Sequence, residues 1–318
     1  MERRRLGHTG AQVGTVGLGT ATWGRGTDRS EARAQVSMLL EAGGNLVDVT
    51  ADPHCTGSAS EALADDGLRR DAFVNLRLPA VESQAALLFD LDDALGALGL
   101  DHVDMWTVEG WDVSLPWPEL VSALAIAVST GRARYVGLCP SAAWHAALVG
   151  AGLVTHPDRT PLAALTTPYS LLDHVTADEV VDVAHSIDAG VLAAWPLAGG
   201  VLTGKYRHAT PPDSRGAGER HAARMLRYRS ARTRPVIEGL CAAAEGLGTT
   251  PAVLAQAWVR DRPGVTATLV GARTVHQWRA ALAADGFIVP AEIRGALDEV
   301  AAEATRVDDD GDAEAGTV

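Results

Sequence analysis

The sequence predicts an α/β fold of one domain, a (β/α)8 TIM barrel that covers residues 1–307. Short runs rich in Val and Leu alternate with longer Ala/Leu/Glu segments of helical period, which is typical of repeated βα units around a parallel sheet. Eight such runs occur in the 318 residues. Eight parallel strands with helical crossovers can close into a barrel whose working face lies at the carboxyl ends of the strands.

Each predicted strand is a short apolar run between polar or Gly-containing segments. The strands are predicted at residues 16–23, 45–49, 73–78, 103–109, 134–139, 162–167, 190–195 and 266–272. Helices fall between them, for example at residues 30–42, 60–70, 83–98, 117–130, 142–150, 177–189 and, after the last strand, 275–284. The alternation that a parallel barrel needs is therefore present along the chain.

Three segments lie outside this alternation. Residues 6–16 contain three glycines between short polar and apolar pieces, and they predict a hairpin that closes the opposite end of the barrel. The interruption after Leu197 is too long for an ordinary connection and predicts a functional loop. Residues 205–234 hold nine Lys/Arg, which indicates either an anionic ligand or a solvated loop. Residues 308–318 are acidic and predict a disordered tail.

Composition limits the classes of partner. A net charge of −13 argues against a surface that binds nucleic acid. No apolar stretch approaches the roughly 18–20 residues that span a bilayer, and no signal-like apolar run follows the basic first residues. The cysteines Cys55, Cys139 and Cys241 are widely spaced, which fits reduced thiols. We therefore expect a cytoplasmic protein without a membrane segment.

Ionisable residues stand at the carboxyl ends of three predicted strands. NLVD ends at Asp48, VNLR at Arg77 and DMWTVE at Glu109, and His54 follows the first strand. A charge inside or just past an apolar strand is costly unless it pairs or faces a polar cavity. Because the carboxyl ends of barrel strands meet at one face, these residues predict a lined pocket there. A metal site could also be considered for His54, Cys55, Cys139 and Glu109, but their number and spacing match no recognised ligand motif.

Four segments resemble one known family in order and in spacing. They are VGLGTATWG at 16–24, PYSLL at 168–172, PLAGGVLTGKY at 196–206 and TPAVLAQAWVRDRPGVTATLVGARTVHQW at 250–278. They resemble the first strand, the sixth strand, the stretch after the seventh strand and the closing helix, strand and cofactor-binding turn of the aldo-keto reductase superfamily. The resemblance covers nearly the whole chain. It implies a barrel that binds NADPH in an extended pose and reduces carbonyl compounds with it.

The resemblance also implies where the phosphates of NADPH would bind. Arg273 would meet the 2′-phosphate, because a guanidinium forks onto phosphate, and Gly271 would let the backbone approach at the start of a helix. Gln277 would contact the adenosine half. Gly204 and Lys205 match the loop that faces the diphosphate. Without that context, Arg273 would be interpreted as a surface arginine after the last strand.

At the nicotinamide end, the resemblance points to residues that differ from those of the family. The family's Ser after the fifth strand is Cys139, and its Gln on the sixth strand is Thr166. Leu197 in the PLAGG stretch is assigned to the cofactor as well. The stacking aromatic corresponds to Ala194 or, with a shift of one residue, to Trp195, and only Trp195 has a ring that can stack.

The family's catalytic Tyr, Lys, His and Asp are mostly replaced. The Tyr position is His54, the Lys position is Arg77 and the His position is Glu109. The Asp position falls on Val49, unless a bulge of one residue brings Asp48 there. In this interpretation His54 donates the proton, and a nearby carboxylate such as Glu109 or Asp48 stabilises its protonated imidazole. Arg77 and Glu109 shape the oxyanion site.

Two functions remain open from the sequence. A Glu at the family's His position resembles the steroid double-bond reductases of the superfamily, so the substrate would be a small carbonyl or enone compound. The alternative is a catalytically inactive barrel that binds NADPH or another ligand and has a sensing or partner-binding role. In that case Arg77 would pair with Glu109 or Asp48 in a structural ion-pair cluster.

Overall fold

A computed structural model describes residues 1–64, 66–111, 115–212, 214–218 and 222–305. The predicted acidic tail at 308–318 therefore lies outside the described residues. Strands β1 (Arg3–Arg5) and β2 (Gln12–Gly14) form an antiparallel hairpin. The hairpin begins three residues earlier than predicted, because residues 6–11 form its loop. Gly7 lies in that loop at φ +54°, where an added Cβ would meet the carbonyl oxygen of Asp188 at 2.7 Å, so only glycine fits.

Eight parallel strands close into a barrel, which confirms the predicted fold class. Each strand pairs with the next one along the chain, and the last pairs with the first. The strands are β3 (Val16–Gly19), β4 (Leu46–Thr50), β5 (Phe73–Pro79), β6 (Val103–Trp111), β7 (Ala133–Pro140), β8 (Leu162–Pro168), β9 (Gly190–Ala194) and β10 (Val265–Val270). All eight lie where the apolar runs predicted them.

Helices surround the barrel. They are α1 (Arg29–Glu41), α2 (Pro53–Leu63), α3 (Asp66–Asp71), α4 (Gln84–Leu98), α5 (Trp117–Ser129), α6 (Ala143–Thr155), α7 (Val175–Ser186), α8 (Ala222–Tyr228), α9 (Arg234–Gly246), α10 (Pro251–Arg260), α11 (Val275–Leu282) and α12 (Ala291–Thr305). The single helix predicted at 60–70 is wrong, because this stretch holds the end of α2 and the short α3. Within the described part of the chain, no helix combines the length and the apolar character needed to cross a membrane.

The start of α2 has a local cause. The Asp52 side chain accepts a hydrogen bond from the backbone N–H of His54 at 3.1 Å, and Pro53 occupies the first helical position. An acidic cap followed by proline is a strong signal for a helix start. The helix therefore begins seven residues before the predicted position, and His54 belongs to its first turn.

The barrel core has two layers. Side chains that point outward from the strands pack against the helices. Side chains that point inward form a second cluster, in which Leu6 and Val13 of the hairpin join Leu46, Phe73 and Met105. The last three residues stand near the amino ends of β4, β5 and β6. The hairpin therefore closes the amino end of the barrel, as predicted, and the carboxyl ends face the long loop.

A buried tyrosine follows β8. The Tyr169 hydroxyl donates a short hydrogen bond to Asp178 and accepts one from Arg262 Nε at 3.2 Å. Burial, reinforced by the bond to Asp178, raises the pKa of Tyr169 to about 12, above the ordinary value of 10.0. A phenol with a raised pKa stabilises the fold while it is protonated, and this contribution is lost as the pH rises from the ordinary value through the raised one.

We expect Tyr169→Phe to lower the free energy of unfolding by about 1–3 kcal/mol at neutral pH, because Asp178 and Arg262 lose a buried partner. The variant should also lose less stability than the wild type as the pH approaches 11. Urea unfolding between pH 7 and pH 11 measures both effects. Tyr135→Phe, which removes a half-buried phenol elsewhere, is the control. Identical pH profiles for Tyr169→Phe and the wild type would contradict the assignment.

Candidate active site

A chain of charged and polar side chains crosses the carboxyl end of the barrel. Asp48 of β4 is 1% exposed and accepts hydrogen bonds from Asn75 Nδ2 at 2.8 Å and from Arg77 Nε at 3.0 Å. Arg77 Nη2 also lies 3.0 Å from Asp48. On its other side, Arg77 Nη1 donates to Glu109 Oε2 at 3.1 Å. Three of the predicted site residues are therefore in direct contact.

The alternation of β-strands explains why these side chains meet. Asn75 and Arg77 are two residues apart on β5, and Thr107 and Glu109 are two residues apart on β6, so each pair points to one face. The Thr107 hydroxyl donates to Asn75 Oδ1 at 2.8 Å. Sequence reasoning missed Asn75 and Thr107. Their signal was a polar residue two positions before each charged strand end.

Asp48 joins these hydrogen-bonded side chains without a bulge in β4. The pairing of β4 with both β3 and β5 runs without a shift in register. Val49 is fully buried and belongs to the cluster that packs against the helices. Ordinary alternation therefore points Asp48 inward, and the bulge of one residue that was considered for it is not needed.

The electrostatics of the site favour a charged guanidinium and a neutral thiol. Burial opposes the charge of Arg77, but Asp48 and Glu109 outweigh it and raise the pKa of Arg77 above its ordinary value. Cys139 lies next to Glu109 in the pairing of β6 and β7. Burial, followed by the charge of Glu109, raises the pKa of Cys139 to about 12. Cys139 therefore stays protonated at neutral pH and is not a nucleophile.

His54 stands apart from the chain of charges. Its side chain is exposed in the first turn of α2. Among the described residues, no hydrogen bond or ion pair joins its ring to Asp48 or Glu109, so the expected pairing with a carboxylate is absent. The segment that leads to it is nevertheless anchored beside the site, because the N–H of Ala51 donates to the carbonyl oxygen of Arg77 at 3.0 Å.

A second group of residues surrounds the end of β10. Gly271 follows this strand, and an added Cβ would lie 3.5 Å from Arg215 Nη2. Arg273 packs against Gly26, where an added Cβ would meet its Cδ at 3.2 Å. The Gln277 side chain accepts a hydrogen bond from the backbone N–H of Arg273 at 2.9 Å. Gly271, Arg273 and Gln277 are therefore brought together, and Arg215 of the basic loop joins them.

Arg215 is half-buried, and no carboxylate pairs with it among the described residues. Burial, together with the charge of Arg273, lowers the pKa of Arg215 below its ordinary value. Two neighbouring cations in a partly desolvated environment repel each other, and an anion bound between them offsets this electrostatic repulsion. The residues at the end of β10 therefore fit a phosphate. Sequence reasoning counted Arg215 only as part of a basic loop and did not single it out.

Trp195 connects the two groups. Its indole packs against the inward-facing cluster, whereas Ala194 belongs to that cluster itself. The guanidinium carbons of Arg215 and Arg224 lie 5.5 and 4.9 Å from the centroid of the Trp195 ring. Trp195 has a positive φ of 57°, an unusual conformation for a bulky residue that points to a functional constraint. Of Ala194 and Trp195, the two positions considered for the stacking aromatic, Trp195 carries the ring at the barrel mouth.

The other predicted cofactor residues line the same end of the barrel. Thr166 of β8 is buried, and its hydroxyl has no hydrogen-bond partner in the described part of the chain. Leu197 precedes a 3-10 helix, Ala198–Thr203, which Gly204 ends at φ +78°. Lys205 is exposed, and its Nζ lies 5.1 Å from the centroid of the Tyr206 ring. The Tyr206 hydroxyl in turn accepts a hydrogen bond from the Gly216 N–H at 3.0 Å, which links this loop to the Arg215 segment.

Comparison with known proteins gives a consistent result. The chain matches the sequence model of the aldo/keto reductase family over residues 15–302. It is 29% identical to the uncharacterized oxidoreductase YrpG of Bacillus subtilis, over 94% of this chain and 96% of that protein. It is 27% identical to the protein tas of Escherichia coli, over 87% and 91% of the two chains. It is 30% identical to a probable voltage-gated potassium channel subunit beta of rice (Oryza sativa subsp. japonica), over 87% and 89%.

The match covers the whole barrel, from β3 to α12, and the relatives align over nearly their full length. The closed barrel of eight parallel strands is the fold that the resemblance implied. The chain therefore belongs to the aldo/keto reductase family of oxidoreductases.

Proposed function

We propose that this protein is an NADPH-dependent oxidoreductase that reduces a small carbonyl or enone compound with altered active-site residues. The observation that carries the proposal is the joint placement of two features at one barrel end. One is the chain from Asp48 through Arg77 to Glu109, and the other is the pair of cations Arg215 and Arg273. The first suits the developing charge of a reduced carbonyl, and the second suits a phosphate.

The residues that would hold NADPH extend from the end of β10 to the barrel mouth. Arg273 and Gln277 would bind the adenosine phosphate half, and Arg215 would bind the diphosphate. The other residues assigned to the cofactor are Cys139, Thr166, Trp195, Leu197, Gly204, Lys205 and Gly271. When bound, the nicotinamide supplies a hydride to the substrate. A planar ring stacked on Trp195 would take the place of one of its two guanidinium neighbours.

The protein's own residues would stabilise the product of hydride addition. Asp48 and Glu109 hold the Arg77 guanidinium in a fixed position, and one N–H on each of Nη1 and Nη2 remains to point at an oxygen of the substrate. Arg77 cannot release a proton. The proton would come from the exposed ring of His54 in the first turn of α2, the residue that the sequence resemblance aligns with the family's tyrosine.

Binding of NADPH tests the cofactor part of this proposal. We expect Arg273→Met to weaken NADPH binding about 10- to 100-fold and NADH binding by less than about 3-fold, because only NADPH carries the 2′-phosphate. Calorimetric titration of both dinucleotides measures this difference. Arg279→Met, which removes an exposed arginine of α11, is the matched control. Equal losses for NADPH and NADH would contradict the assigned contact.

Measurement of turnover tests the proposed reductase activity. A panel of small aldehydes, ketones and enones is incubated with NADPH, and oxidation is followed at 340 nm. The background is the double variant His54→Ala, Arg77→Ala. If no compound gives oxidation above that background, the proposed reductase activity is wrong.

The alternative function is an inactive barrel that binds NADPH or another ligand and serves in sensing or partner binding. It is favoured by the engagement of Arg77 with two carboxylates, as in a structural ion-pair cluster. The name of the rice relative, a probable channel subunit, also favours a role in partner binding. Tight NADPH binding without turnover on the panel would support this alternative. Both functions are proposed for the cytoplasm, where the free cysteines Cys55, Cys139 and Cys241 would stay reduced.

A further inference from the structure

Arg224 holds a position at the barrel mouth that the cofactor assignment leaves unused. It lies on α8 in the basic loop, and its guanidinium carbon stands 4.9 Å from the centroid of the Trp195 ring. Trp195 follows β9 directly and packs on the inward-facing cluster. The Arg224 side chain is half-buried. The loop thus brings Arg224 to the carboxyl end of the barrel.

Arg224 differs from neighbouring arginines of the loop in its partners. Arg207 is paired with Glu238, Arg227 donates to Asp173 at 2.8 and 3.0 Å, and Arg229 donates to the Thr210 hydroxyl at 2.8 Å. These bonds hold the loop in place. Among the described residues, the contact of Arg224 is with the Trp195 ring, and no carboxylate pairs with it. A partly desolvated guanidinium without an anion is a ready binding group for one.

The two arginines on Trp195 face different neighbours. Arg215 lies beside Gly271 and feels the charge of Arg273, at the end where phosphate is proposed to bind. The charge of Arg224 instead reaches Cys139, where it opposes the burial-driven rise in the pKa of the thiol; the other charged groups that act on Cys139 are Glu109, Arg77 and Asp48. Because Cys139 pairs with Glu109 across β6 and β7, Arg224 is close to the chain from Asp48 through Arg77 to Glu109.

We propose that Arg224 binds a carboxylate carried by the substrate, so that the preferred substrates are small aldehydes or ketones that also bear a carboxylate. This inference rests on the proposed function. A single planar guanidinium matches a carboxylate in a bidentate geometry. A phosphate dianion is a poorer match, since Glu109 adds a negative charge to the same mouth.

A charged substrate and its neutral methyl ester together test the inference. We expect Arg224→Gln to lower kcat/KM for 4-carboxybenzaldehyde about 10- to 100-fold, and to change kcat/KM for its neutral methyl ester by less than about 2-fold. Arg224→Lys should restore part of the lost activity, because it keeps the charge without the fork. Arg234→Gln, which removes an exposed cation at the end of the same loop, is the control for loop charge. Equal losses for both substrates would overturn the inference.

A binding measurement keeps this test separate from that of reductase activity. Calorimetry compares 4-(hydroxymethyl)benzoate with the neutral 4-methylbenzyl alcohol, on the protein alone and with saturating NADP+. If the wild type binds the carboxylate and Arg224→Gln does not, the carboxylate site stands even when no turnover is found, and only the proposed reductase activity fails. If the wild type does not bind it, or binds it no better than Arg224→Gln does, the inference fails whatever the turnover.

Discussion

Replacing Arg77 with methionine should lower the free energy of unfolding by about 3–5 kcal/mol, the largest change in stability expected at this site. The side chain of Asp48 is 1% exposed and would lose its only cation among the described residues. A buried carboxylate that keeps its charge without a partner is strongly unfavourable. Urea unfolding at neutral pH measures the change, with NADPH absent so that ligand binding does not contribute.

Three further variants sharpen this measurement. Arg77→Lys keeps a charge without the planar fork and should lose less stability. Asp48→Asn combined with Arg77→Met should be more stable than Arg77→Met alone, because the unpaired charge has been removed. Glu109→Gln should cost little, since the Glu109 side chain is 45% exposed. A loss below about 1 kcal/mol for Arg77→Met would show that Asp48 is not held as a buried ion pair.

Replacing His54 with alanine should lower the rate of NADPH oxidation about 100- to 10,000-fold with the best carbonyl substrate, the range expected for loss of a general acid. The ring is exposed in the first turn of α2 and has no hydrogen bond or ion pair with the other described residues, so stability should hardly change. Steady-state kinetics and an unfolding curve on the same preparation separate the two effects.

The sharper comparison is His54→Tyr. This substitution places a phenol where the family has one, and it should retain much more activity than His54→Ala. His102→Ala, at the amino end of β6, controls for loss of an imidazole far from the mouth. If His54→Ala retains full turnover, the proton comes from another donor, and the assignment of His54 fails while NADPH binding stands.

The strands were predictable because each is a short apolar run, and all eight lie at the predicted places. The helices were harder. The start of α2 at Pro53 follows from a cap by Asp52, a local signal that the apolar period does not contain. The loop after Leu197 folds into short helical pieces, Ala198–Thr203 and α8 among them, where only a long loop was predicted.

The site was predictable in part, for a physical reason. Inward charges on neighbouring strands must meet, so Asp48, Arg77 and Glu109 could be grouped from their places at strand ends. The choice between Asp48 and Val49 depended on register, which the sequence leaves open. Arg215 and Arg224 were hidden in a run of basic residues, because only the folded loop decides which arginine meets a carboxylate and which meets a tryptophan.

The hydrogen-bonded row formed by Thr107, Asn75 and Asp48 also sets how deep a ligand can go. Below it, the barrel interior is filled by Leu46, Phe73 and Met105 and closed by the hairpin. The row therefore separates the apolar interior of the barrel from Arg77, which is hydrogen-bonded to Asp48. A ligand at this end of the barrel would therefore meet Arg77 and the polar row before it could reach the apolar interior.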